Sequence, residues 1–227
     1  MKGFITVVLA AMVLPAQAGV VIYGTRVIYP AEKKEVIVQL MNQGQRTSLV
    51  QSWIDDGNTE LPPEKINVPF LLTPPVAKVV GRSGQQLKIK KMPNALPENK
   101  ESLFYLNVLD IPPNNPEHEG KNALKFAMQS RIKIFYRPKG ILPVNNDSFH
   151  KLSFVQSGKG LVIKNDTDNW ITVTTIKLNS VRVNDASIMV PPRASQTVAL
   201  KNNVARTYNM TIIDDYGNYL SNNVDVK

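Results

Sequence analysis

The sequence predicts an all-β chain organised as two β-sandwich domains. Three observations carry that reading: short β-branched and aromatic runs, punctuation by Pro, Gly and Asn, and a length suited to two cores. The runs lie at 20–29, 35–41, 48–54, 86–89, 102–109, 123–136, 160–165, 171–178, 195–200 and 208–213. No convincing 3.6-residue periodicity separates them, which argues against strands alternating with helices. The part of the chain after residue 18 exceeds the commonest single-domain size, so two domains of about 100 residues each are expected.

The chain opens on Met1 and Lys2, crosses an apolar stretch at 4–15 and reaches Ala16-Gln17-Ala18 before Gly19. One positive charge, an apolar run short for a bilayer span and small residues two apart describe a cleavable secretory leader over 1–18. Cleavage is expected after Ala18, which places the mature protein beyond the cytoplasm. No later segment approaches the roughly 20 apolar residues of a transmembrane helix. The chain has no cysteine, so both domains must be held by packed sheets rather than by disulfides.

The division between domains falls at Arg137-Pro138-Lys139-Gly140, where a long strand meets a proline and a glycine follows. Residues 19–137 form the expected first domain and 141–227 the second. The segment 112–122 (PPNNPEHEGKN) is a polar, proline-rich connection longer than a tight turn.

Less Lys2, 26 basic residues face 18 acidic ones, a net charge of +8. Such a balance suits nucleic acid, an anionic surface or an acidic protein partner. Export disfavours nucleic acid, and the cations are dispersed. The densest cluster, Lys88, Lys90 and Lys91, reads as a solvated strand face. There is no phosphate-binding loop and no G-x-S-x-G, and two histidines, His118 and His150, without cysteine leave no metal-ligand cluster. Asp55-Asp56 and Asp214-Asp215 are adjacent acids, but neighbours on a strand point to opposite faces, so neither pair makes a dyad by itself. Asp55-Asp56 reads as a turn. The expectation is a protein that binds, with no cofactor, no nucleotide and no enzymatic activity.

Several stretches then resemble one family: Gly24-Thr25-Arg26-Val27-Ile28-Tyr29-Pro30, Gln51-Ser52-Trp53, Thr73-Pro74-Pro75, Glu101-Ser102-Leu103-Phe104, Ser130-Arg131-Ile132-Lys133-Ile134-Phe135-Tyr136-Arg137-Pro138 and Asp215-Tyr216-Gly217. In order and separation they resemble the periplasmic pilus chaperones of the chaperone-usher pathway, over essentially the whole chain after the leader. The resemblance implies two immunoglobulin-like domains set at an angle with a subunit-binding cleft between them, in the periplasm of a Gram-negative bacterium. Its implied partners are pilin subunits and an outer-membrane usher; whether the free protein self-caps as a homodimer is left open. It also implies that Arg26 and Lys133 anchor the C-terminal carboxylate of a subunit, and that Glu101, Arg137 and Asp215 form an interdomain salt bridge. The connection at 112–122 and the absence of cysteine resemble the short-loop branch, which commonly serves rod-like pili.

The resemblance further implies that the subunit lacks its last strand and that the chaperone supplies one. In Ala123-Leu124-Lys125-Phe126-Ala127-Met128-Gln129-Ser130, Leu124, Phe126 and Met128 are apolar while Lys125 and Gln129 are polar, a period-two face suited to completing a foreign sheet. Alternation alone is equally compatible with residues facing the domain's own core. Two rival readings are a secreted β-sandwich pilin or adhesin, and a cationic module that binds polysaccharide.

Overall fold

The structure, a computed structural model, describes residues 19–93, 95–113, 126–158, 160–201 and 205–227. Leu124, His118 and most of the 112–122 connection lie outside the described residues.

The first half contains β1 (Val20–Ile22), β2 (Arg26–Pro30), β3 (Glu35–Asn42), β4 (Ser48–Asp55), β5 (Phe70–Thr73), β6 (Val76–Val79), β7 (Gly84–Lys91), β8 (Ser102–Ile111) and β9 (Met128–Arg137). They form two sheets, ordered β1-β3-β7-β5 and β2-β9-β8-β4-β6. The pairings are antiparallel except β2 with β9, which run parallel. The second half contains β10 (Leu152–Ser157), β11 (Gly160–Asn165), β12 (Ile171–Leu178), β13 (Val181–Arg182), β14 (Ile188–Val190), β15 (Ala194–Ala199), β16 (Thr207–Ile213) and β17 (Tyr219–Asp225). Here the sheets are β10-β11-β15 and β13-β12-β16-β17, with β14 also on β12.

Each pair of sheets encloses its own apolar core. Leu40, Leu87, Ile89, Leu106 and Ile134 lie at the centre of the first, and Leu161, Ile163, Ile176, Met210 and Ile212 at the centre of the second. Strand alternation explains the sorting: on β7, Leu87 and Ile89 are buried while Lys88 and Lys90, which alternate with them, are exposed. Lys91 departs from the solvated-face expectation, since its Nζ reaches the Tyr136 hydroxyl at 3.1 Å. An aromatic cluster of Tyr29, Phe70, Phe104 and Tyr136 fills one end of the first core, the Phe70 and Phe104 rings meeting edge to face at 4.9 Å.

Three sequence expectations need correction. The run 20–29 is two strands in different sheets, because Gly24 takes a φ of +106° that lets the chain turn from one sheet to the other. The run 123–136 enters its strand only at Met128, so Phe126 precedes the strand. The third concerns Asp55, which is not a turn residue alone. It ends β4, buried, and its carboxylate receives Arg131 Nη2 and Asn107 Nδ2 as well as the turn amide of Gly57. The strands β5, β6, β10, β13, β14 and β17 escaped the pattern: Pro74 and Pro75 split β5 from β6, β13 and β14 are two and three residues long, and β17 carries few apolar residues.

The Asp55 cluster gives a pH dependence. Burial alone would raise the pKa of Asp55, but the bonds from Arg131, Asn107 and Gly57 outweigh it and hold it below the ordinary value of 3.8. A depressed carboxyl contributes stability above its unfolded pKa and loses it as pH falls through the folded value. The thermal midpoint is therefore expected to fall below about pH 4. Asp55→Asn should start from a lower midpoint at neutral pH and show a flatter acid limb in melts taken from pH 7 to 2.

Candidate subunit-binding edge

In the parallel β2–β9 pair, Arg26 stands directly beside Lys133. Registered neighbours in a sheet present their side chains to one face, so the pair sets two cations side by side. Neither makes an ion pair among the described residues, and Arg26 Nε is buried without a hydrogen-bond partner. Burial lowers the pKa of Arg26 below its ordinary value, against the pull of Asp215, Asp214 and Glu101. Burial likewise lowers that of Lys133, aided by the repulsion of Arg26 and Arg131. The guanidinium also lies 5.8 Å from the Phe135 ring centroid. Two desolvated like charges with an orphaned donor form a site short of one anion.

The strand edge beside this pair is open. β2 covers β9 only from Lys133 to Arg137, while β8 pairs with the other side of β9 from Met128 onward. Over 128–132 the outer edge of β9 therefore has no ladder partner among the described residues, and it ends at Arg26 and Lys133. A strand added here in line with β2 runs parallel to β9 and brings its C-terminus to the two cations. An antiparallel strand would bring an ammonium to them, so the charge selects the parallel orientation.

The even positions of β9 explain both readings of the apolar alternation. Ile134 and Tyr136 belong to the first core, and Ile132 packs against it. Met128 has the same parity but lies where the sandwich has run out, and it is 69% exposed; Phe126, just before the strand, is 70% exposed. The core-facing stripe thus continues past its own core into solvent.

The odd positions lead the other way. Two residues beyond Phe135, Arg137 is 8% exposed and forms the junction between the halves. Its Nε donates to Glu101 Oε1 at 2.6 Å and its Nη2 to Asp215 Oδ1 at 2.7 Å. Glu101, 3% exposed, also accepts from the backbone N–H of Trp170 at 2.8 Å and from Asn169 Nδ2 at 3.2 Å. Burial disfavours the charge on Arg137, but Asp215 and Glu101 more than offset it and leave its pKa above the ordinary guanidinium value. The Asp214–Asn218 turn aims Asp215: Asp214 Oδ1 accepts from the N–H groups of Tyr216 and Asn218. Gly217 adopts a φ of +90°, and a Cβ there would lie 2.6 Å from Thr25 Oγ1, so the turn can approach the residue before Arg26 only with glycine.

The structure thus gathers Arg26 with Lys133, and Glu101 with Arg137 and Asp215, and leaves Phe126 and Met128 exposed. Sequence reasoning missed Asn169 and Trp170, and no motif could have found the latter, because it contributes a backbone N–H. It also missed the second acid site at Asp55 and Arg131, whose guanidinium stacks 3.7 Å over the Tyr105 ring.

Comparison with known proteins adds independent findings. Residues 19–142 match the family model described as pili and flagellar-assembly chaperone, PapD N-terminal domain, and residues 147–224 match pili assembly chaperone PapD, C-terminal domain. The chain is 66% identical over 224 residues to the probable fimbrial chaperone YehC of Escherichia coli, covering 99% of this chain and 94% of that protein. It is 40% identical over 215 residues to the chaperone protein MrkB of Klebsiella pneumoniae, covering 92% and 91%. The crystal structure of the CupB2 chaperone of Pseudomonas aeruginosa superposes with a TM-score of 0.78 at 28% identity, covering 91% of this chain and 100% of that one.

Proposed function

Since the chain belongs to the PapD family of pilus-assembly chaperones, we propose that it captures pilin subunits in the periplasm, completes their unfinished sandwich with β9 and hands them to an outer-membrane usher. It acts by binding and not by catalysis. The leader is 1–18, the first immunoglobulin-like domain 19–137 and the second 141–227, and the protein is of the short-loop branch. The observation that carries the reading is that, among the described residues, the edge of β9 over 128–132 is open and ends at Arg26 and Lys133, two cations without an ion pair.

The mechanism follows from that edge. A subunit strand lying parallel to β9 satisfies the free backbone groups over 128–132, and its terminal carboxylate takes the position short of an anion. Phe126 and Met128, with Leu124 ahead of them, then fill the groove left by the subunit's missing strand. Each fully buried side chain of this size contributes roughly 1.5–3 kcal/mol in gross terms, before ordering costs. The Arg137 junction fixes the angle between the domains rather than adding stability.

The reading is tested by coexpression with the fimbrial subunit encoded beside this gene and copurification from the periplasm in high salt. Capture of the intact subunit, with poor capture of one lacking its terminal residue, is expected. Displacement of the subunit by heparin-like polyanions would favour the polysaccharide-binding alternative instead.

A further expectation concerns the exposed apolar pair. The double variant Phe126→Thr, Met128→Thr keeps β-propensity while removing apolar area. Because both side chains face solvent in the free protein, each change should stay within about 0.5 kcal/mol of wild-type stability. Subunit copurification should fall sharply while the thermal midpoint barely moves, and a variant that still carries subunits at wild-type level would remove the pair from the donor face.

A further inference from the structure

We propose that the α-amino group of Gly19, released when the 1–18 leader is removed, is held by the buried carboxylate of Asp110, so that processing completes an ion pair that the precursor lacks. The inference rests on the secretory reading above, and on four features of the described residues. The backbone N–H of Val20 donates to Asp110 Oδ2 at 2.8 Å. A Cβ built on Gly19 would lie 2.2 Å from the same oxygen, so the backbone touches the carboxylate and no larger residue fits without displacing it. Standard backbone dimensions then put the Gly19 nitrogen within about 5 Å of that oxygen. Finally, Asp110 is only 7% exposed, and its Oδ1 has no hydrogen-bond partner.

Among the described residues this buried carboxylate has a single N–H donor and is under-satisfied. The cleft around it is lined by Asn42, Ser48, Arg46, Pro112, Phe126 and Met128 among others. Arg46 is the other charged group among these lining residues, and it makes no ion pair with Asp110. Before cleavage the Gly19 nitrogen is a neutral amide with one hydrogen. Hydrolysis of the Ala18–Gly19 bond adds water across it, leaving a carboxylate on Ala18 and an amine on Gly19 that takes up a proton. The resulting ammonium offers three donors beside a carboxylate with an unused oxygen. β1 and β8 belong to opposite sheets, so the pair ties the two sheets together at the mouth of the sandwich, beside Phe126 and Met128. Leader removal therefore stiffens the end of the domain from which the donor residues project.

The test uses full-length protein purified from the periplasm, its N-terminus first read by mass spectrometry. With glycine isotopically labelled, the Gly19 α-amine is titrated by NMR in the wild type and in Asp110→Asn. The expected result is a pKa at least one unit above the ordinary 7.7–8.0, or about 9 and higher, that returns to the ordinary range in Asp110→Asn. An amine raised in the folded state contributes stability fully below its unfolded pKa and loses it as pH rises through the folded value. Thermal midpoints should accordingly drop on the alkaline side in the wild type, and selective acetylation of the α-amine should abolish that drop while lowering the midpoint at pH 7. Acetylation needs no change at Asp110, so the outcome stands even if Asp110→Asn folds poorly. A Gly19 amine that titrates at its ordinary value, or acetylation without effect, overturns the ion pair and leaves the secretory reading intact. A mature N-terminus other than Gly19 overturns both.

Discussion

Lys133→Ala and Arg26→Ala are each expected to fold normally and to capture subunit about 30-fold to several thousand-fold more weakly than the wild type. The range follows from the cost of removing one partner of a desolvated charge pair, about 2–5 kcal/mol at roughly 1.4 kcal/mol per tenfold. Folding should be spared, and for Lys133 improved, because in the free protein burial disfavours the charge on both residues and Arg26 repels Lys133. Binding by isothermal titration or by competition for a subunit-derived C-terminal peptide gives the affinity, and thermal melts give the stability. An affinity within threefold of wild type for either variant would remove the carboxylate from this site. Burial, aided by the repulsion of Arg26 and Arg131, predicts a pH effect: Lys133 must be charged to bind a carboxylate, and its pKa is lowered. Capture should weaken as pH rises through that lowered value, and binding in this window should be accompanied by proton uptake.

Arg137→Ala is expected to be the most damaging single change to folding, at about 3–5 kcal/mol, because it leaves Glu101, whose pKa burial already raises, buried and without its cation. That is a large part of the 5–15 kcal/mol typical of a whole domain. Asp215→Asn should cost much less, since Arg137 keeps Glu101 and Asp215 is the more exposed partner. Replacing Glu101 and Arg137 together, Glu101→Gln with Arg137→Met, should recover much of the loss, because the most deeply buried charge is then gone and only Asp215, the more exposed partner, loses its cation. Urea unfolding of the three variants checks the order. If the double replacement were as unstable as Arg137→Ala, desolvation of Glu101 would not be the cause. The double variant should still bind subunit less well, its cleft being no longer fixed by the ion network, and the two measurements separate stability from geometry.

The all-β class was legible from composition and spacing because a strand half buried in a sandwich must alternate, and alternation is a local property. The runs at 35–41, 48–54, 102–109 and 171–178 become β3, β4, β8 and β12 with small changes at their ends. Strands at the margins were less legible: β17 is mostly polar, with Val224 its one buried residue, and β5 and β6 are too short to show a period. The break between β1 and β2 was hidden because an apolar stretch reads continuously across a glycine, and only the positive φ of Gly24 reveals that the chain changes sheet.

The candidate site divides along the same line. By itself the sequence determined which residue types were present, the order of the motifs, and a resemblance that singled out Arg26, Lys133, Glu101, Arg137 and Asp215. Only the tertiary structure decided that Arg26 and Lys133 are neighbours, since residues over a hundred positions apart become adjacent through the parallel β2–β9 register. It decided, too, that Phe126 and Met128 project into solvent although they share parity with core residues, because where a sandwich ends is set by the sheets around a strand and not by the strand. The partners of Glu101 on the second domain and the close approach of Gly19 to Asp110 were invisible for one reason: each depends on backbone positions brought together across sheets or domains, and backbone groups leave no signature in a list of side chains.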